Sequence, residues 1–370
     1  MDMKFLILSL LTFSTLAHNL KFQKQIIYKH GLKVDNTVFG GLSGIRYDEK
    51  LKKLYAISDD RARKSPARFY TFLVKEGNNG LDLTLDSATI LKTGKGTDYR
   101  KGSVDFEDIE ILDDENLIIT SEGNLMSRYI QPPRVIVFNK SGKYNKDLLV
   151  DNKFKPVREN GHFVSGIRDN LAFEPLSFTP NKEYLFTGTE DALRQDGKTA
   201  SLKDFSKVRM VRYQKTPNGY LPNDEFVYPL GPIPNIDMAI EGLAAQSGVP
   251  AVLAQDKNTL IVMERAYFPL KDRTTVHLYR AKISKKTTNV QSMPSLKSKK
   301  VHMMDKELLV NFDEFVPKLM KEHPRLDNIE GICLGPKLKN GNQTLIVVSD
   351  NNFNKSQRTH FLIFEIKGKL

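Results

Sequence analysis

The chain is 370 residues long, 40% hydrophobic and 27% charged, with a formal net charge of +12 and a single cysteine. That composition excludes a disulfide framework and a disordered low-complexity chain, and after Ala17 no stretch is apolar enough to cross a bilayer. The basic excess favours anionic surroundings or substrates, but the lysines are scattered without interleaved aromatics, so no specific nucleic-acid site is expected.

Met1 to Ala17 places Lys4 before an apolar run from Phe5 to Leu16, with small residues at Thr15 and Ala17. This is the pattern of a secretory signal peptide cut after Ala17. The mature chain, 18–370, is expected to be a soluble periplasmic or secreted single domain and a monomer. Lys21 to Lys29 then reads as an edge strand.

A short pattern follows and recurs: Phe39-Gly40-Gly41-Leu42, Phe106-Glu107-Asp108-Ile109, Phe173-Glu174-Pro175-Leu176, Ile240-Glu241-Gly242-Leu243 and Ile329-Glu330-Gly331-Ile332. The same interval separates Gly40, Glu107, Glu174 and Glu241, and a longer one leads to Glu330. Each copy opens a hairpin whose second strand returns to an acid, at Asp59, Glu122, Glu190, Glu264 and Asp350. A fixed period of about 67 residues with room for four strands predicts an all-β fold, a β-propeller of four-stranded blades.

Between Glu241 and Glu330 the chain carries an insertion. Thr275 to Ala281 and Glu307 to Phe312 read as strands, Lys285 to Lys300 as a polar basic surface loop, and Asp313 to Lys321 as a short helix. Cys333, on an inner strand, reads as a buried structural thiol. The last strand, Thr359 to Ile366, comes too soon after the final hairpin to complete a blade by itself. Closure by the N- and C-terminal strands together is therefore expected, giving five blades, with six as the alternative.

In an antiparallel hairpin the start of one strand and the end of the next lie together. Glu107, Glu174, Glu241 and Glu330 should then ring one mouth of the central channel, with the returning acids close by. Crowded carboxylates repel one another unless a cation compensates. An all-oxygen donor set without a histidine or cysteine cluster suits Ca²⁺ first and Mg²⁺ second. The alternative is that these glutamates cap backbone amides or pair with arginines such as Arg265.

Several ordered motifs carry a family resemblance: Gly41-Leu42-Ser43-Gly44-Ile45, Ser58-Asp59-Asp60, Asp105-Phe106-Glu107, Ser121-Glu122-Gly123, Glu264-Arg265, Ile329-Glu330-Gly331 and Ser349-Asp350-Asn351. Across the mature chain the sequence resembles the bacterial phytase-like family, "esterase-like activity of phytase". The resemblance implies an exported β-propeller that hydrolyses esters or phosphoesters. Gly40, standing where other repeats have Glu, leaves the first blade without a ring acid.

For such a hydrolase acting on an anionic ester, Glu122, Glu264 and Asp59 are the acidic catalytic candidates, the first two as bases. Arg265 is the leading anion clamp, followed by Arg61, Arg128 and Arg134. A non-catalytic propeller that binds a ligand or protein, with Ca²⁺ only as a structural pin, is the alternative. Gly41 to Ile45 misses the nucleophile-elbow pattern, and Gly94-Lys95-Gly96-Thr97 lacks the spacing of a phosphate-binding loop.

Overall fold

The computed structural model describes residues 19–77, 80–126, 130–232, 246–268 and 273–370. The expected signal peptide, Arg128 and Glu241 lie outside the described residues.

Strand formation follows from side chains that are apolar on both faces. In Leu117-Ile118-Ile119, Leu117 and Ile119 enter the cluster between the first and second blades, whereas Ile118 enters the one between the second and third. Leu345 and Val347 likewise face the fourth blade while Ile346 and Val348 face the first. A strand alternates its side chains, so a blade packed on both sides needs a continuous apolar run rather than an in-out pattern.

The result is a ring of five four-stranded antiparallel sheets. Their inner strands are Leu42–Asp48, Phe106–Ile111, Phe173–Phe178, Gln246–Asp256 and Asn328–Lys337. An apolar cluster fills each junction between neighbouring blades. Truncating one of these side chains to alanine is expected to cost about 2–5 kcal/mol.

The ring closes as expected from the sequence. Leu20–Tyr28 pairs antiparallel with Thr359–Ile366 and becomes the outermost strand of the fifth blade. The insertion adds no sixth blade. Arg273–Lys282 and Asp305–Asn311 complete the fourth, and a 3-10 helix at Phe312–Lys318 follows.

The 285–300 segment is less of a free surface loop than its composition suggests. It runs back along the outer strand of the third blade, with Val290 N–H donating to the Glu225 carbonyl at 2.8 Å. Val290 and Leu296 are buried against Val227. Cys333 is fully buried among apolar residues, and burial pushes its thiol up to about 12.

Candidate functional site

Every inner hairpin carries a β-bulge at the same place, between Leu42 and Ile45, Phe106 and Ile109, Phe173 and Leu176, Gly248 and Ala251, and Ile329 and Gly331. A bulge adds a residue to one strand and re-aims its side chain. The equivalent bulge positions are Ser43, Glu107, Glu174, Val249 and Glu330. On the returning strands the matching positions are Asp59, Glu122, Glu190, Ala266 and Asp350. In the first three blades the backbone N–H at that end donates to the inner strand, from Asp59 to Gly41 O, Glu122 to Asp105 O and Glu190 to Ala172 O.

This register corrects the sequence alignment in two blades. In the first, the ring position is Ser43 rather than Gly40, and its hydroxyl donates to Glu107 Oε2 at 2.9 Å. In the fourth, Gly248-Val249-Pro250-Ala251 takes the place held by Phe173-Glu174-Pro175-Leu176 in the third. The equivalent strand position in the fourth blade is Val249, buried in the apolar cluster between the third and fourth blades.

Glu264 is also displaced, because it sits two residues short of the strand-end position. Its buried carboxylate lies between the third and fourth blades, where it accepts from Tyr228 Oη at 2.6 Å and from Lys306 Nζ. It does not line the mouth.

The remaining candidates converge. Residues from all five blades line a cavity of about 360 Å³ that includes Asp59, Arg61, Glu107, Glu122, Glu174, Arg265 and Glu330. Asp105, Glu190 and Asp350 lie against the same acids. Eight carboxylates thus meet two guanidiniums among the described residues.

Arg61 sits 2.5 Å from Asp105 and 3.9 Å from Glu122. Arg265 pairs with Glu190 at 2.8 Å, with Glu330, and with Asn328 Oδ1 at 2.6 Å. Two glycines of this region have steric work. A Cβ on Gly248 would lie 2.0 Å from Glu190 Oε1, and one on Gly41, whose φ is +66°, would lie 2.4 Å from Asp59 Oδ1.

Burial and like charge hold several of these acids neutral well above the usual carboxylate range. Burial pushes Asp105 up to about 6 against the pull of Arg61, and Glu190 up to about 7 against Arg265. Asp350 is pushed up to about 8 by burial and then by Glu330. Asp59, Glu107, Glu122 and Glu174 move in the same direction, each first by burial and then by neighbouring acids.

Three trios of ligand atoms within 4.8 Å of one another form around the mouth: Asp59, Glu330 and Asp350; Asp105, Glu107 and Glu122; Glu122, Glu174 and Glu190. Each contains a buried carboxylate oxygen with no hydrogen-bond partner, namely Glu330 Oε2 and Asp350 Oδ2, Asp105 Oδ1, and Glu174 Oε2. Orphaned buried oxygens are costly, and a hard cation satisfies them directly. The residues present fit Ca²⁺ or Mg²⁺.

The family's sequence pattern, described as "Phytase-like: Esterase-like activity of phytase", matches residues 37–353. The chain belongs to the phytase-like family. No curated protein matches this phytase-like chain. Among solved structures it is similar to an endo-arabinase from Bacteroides thetaiotaomicron, at 10% identity over 92% of this chain and 99% of that one, with a TM-score of 0.43. It is also similar to a glucose dehydrogenase, at 10% identity over 91% and 86% of the two chains, with a TM-score of 0.36.

Asp350, expected close to the mouth, is a trio member, and so is Asp105, which the sequence offered only as part of the Asp105-Phe106-Glu107 motif. Arg134, in contrast, pairs with Asp147 at 2.8 Å and is not among the mouth-lining residues.

Proposed function

We propose that the mouth is the active site of an exported, cation-dependent ester or phosphoester hydrolase. The observation that carries this reading is the set of orphaned buried oxygens on Asp105, Glu174, Glu330 and Asp350, grouped around a cavity that Glu174, Glu330 and Arg61 line. Glu107, Glu174 and Glu330, with Asp105 and Asp350, would hold the cation. Bound there, Ca²⁺ would polarise a phosphoryl or carbonyl oxygen and lower the pKa of a water.

The chain's own residues divide the remaining work. Eight acids repel an anionic substrate, so its entry requires their charge to be compensated. Arg61 lines the cavity and orients an anionic oxygen of the ester. Glu122 is held by the Ala172 N–H, which donates to Oε1 at 2.7 Å. Burial and the neighbouring acids push the Glu122 carboxyl up; ionised once a bound cation offsets those acids, it would accept the proton of the attacking water through Oε2. Arg265 acts as a positioning residue, since its donors are committed to Glu190, Glu330 and Asn328.

That commitment of Arg265 also favours a second reading, a calcium-pinned propeller that binds without catalysis. The deciding experiment is hydrolysis of paired chromogenic phosphate and carboxylate esters by the mature protein, with calcium, with chelator, and with Glu174→Gln or Glu122→Gln. Turnover lost in all three perturbed samples supports the hydrolase. No turnover under any condition, with a melting temperature that still drops on chelation, supports the pinned binding propeller.

A further inference from the structure

Beside the acidic mouth lies a second cavity of about 430 Å³, built by the fourth and fifth blades and the 3-10 helix between them. Tyr267 and Gln357 line both cavities, so the two adjoin at those side chains as neighbouring lobes. Their chemistry differs sharply. The mouth is lined mainly by acids, whereas Val316, Pro317, Pro324 and Leu326 give the second lobe an apolar wall.

The second lobe's charges cancel locally. Arg273 pairs with Asp313 at 2.7 Å, and Arg325 Nε lies 3.0 Å from Asp327 Oδ1. Two arginines and two aspartates leave the lobe's described residues with no net charge. A polyanion gains nothing from such a surface, whereas an apolar group gains by burial. The volume falls within the ~300–1,000 Å³ of small-molecule sites.

We propose that this lobe is the subsite for the uncharged remainder of the substrate, which makes the substrate an amphiphilic ester with an aryl or acyl group rather than a polyphosphorylated polyol. The inference rests on reading the mouth as the place that holds the anionic, reacting end. Tyr267 and Gln357 then flank the bond between the two ends. Val316 and Thr274, which line only the second lobe, set the preference for the apolar group.

The test uses methylphosphonate and phenylphosphonate, which resist ester hydrolysis, so binding is read independently of turnover. Calorimetry on the mature protein in saturating calcium should show phenylphosphonate binding at least about tenfold more tightly, as burial of a ring predicts. Val316→Asp and Thr274→Trp should each abolish that preference while leaving methylphosphonate affinity within about twofold, with unchanged melting temperature certifying the fold. A parallel turnover series should rank aryl and long-chain phosphate monoesters above methyl phosphate and inositol hexakisphosphate.

A phenyl preference in a protein without turnover would sustain the subsite while removing the hydrolase. Equal binding of the two phosphonates, no binding of either, or a preference that survives both variants would overturn the subsite.

Discussion

Arg46 of the first blade donates from Nη2 to the main-chain oxygen of Leu176 in the third, 2.8 Å away, bridging inner strands of blades that are not neighbours. On the way its guanidinium passes 3.2 Å from Glu110 of the second blade and 4.0 Å from Asp108. Those two acids accept the Leu176 and Phe178 N–H groups at 2.8 Å each. The channel beneath the mouth is therefore laced by one cation and two acids.

Breaking that network leaves buried acids without their counter-charge, and Asp108 is already pushed up to about 7 by burial despite Arg46. Arg46→Met is expected to cost about 3–5 kcal/mol. Urea unfolding should show a lower midpoint with an unchanged slope. An unaltered midpoint would refute the bridging role.

Proton linkage at the mouth has a defined sign. Asp105, Glu190 and Asp350 titrate at about 6, about 7 and about 8 in the folded chain, against about 4 in an unfolded one. Between those limits the folded state holds more protons. The stability these three groups contribute is full below about pH 4 and declines as pH climbs through the folded values. In cation-free buffer the melting temperature should fall from about pH 5 to about pH 8. Saturating calcium competes with these protons and should abolish or reverse the trend. A cation-free melting temperature that rises across this window would contradict the assignment.

Arg265 and the proposed cation would share the same acids, so each should cover for the loss of the other. Arg265→Met is expected to destabilise the protein by about 3–5 kcal/mol in chelator and by clearly less in calcium. Melting curves under both conditions decide the matter. An equal loss in both would mean that the cation does not touch Glu190 or Glu330.

Glu122 and Glu264 look alike in sequence yet should behave oppositely. Glu122→Gln is expected to lower kcat by about 100-fold or more, the scale of a lost general base. Glu264→Gln should leave kcat within about twofold and instead cost about 1–3 kcal/mol through its bonds to Tyr228 and Lys306. Steady-state kinetics beside chemical denaturation separates the two. Loss of turnover in Glu264→Gln without loss of stability would return that residue to the site.

Local pattern was sufficient for the five blades. Runs such as Leu345 to Val348 can be satisfied only by burial on both faces, and a lone terminal strand at Leu20–Tyr28 needs the edge that Thr359–Ile366 offers. The hairpin rule also brought Asp59, Glu107, Glu122, Glu174, Glu190, Glu330 and Asp350 to one end. Which residue stands at the equivalent strand position in the first and fourth blades was settled only by tertiary register. Ser43 and Val249 stand there because the bulge, not the four-residue pattern, sets the count along each inner strand. Pairing between Gly248 and Arg265 then brings a cation to the side of the ring where an acid was expected. A slip of a few residues is invisible to a repeat of apolar and acidic letters, but in a strand it decides which side chain faces the channel.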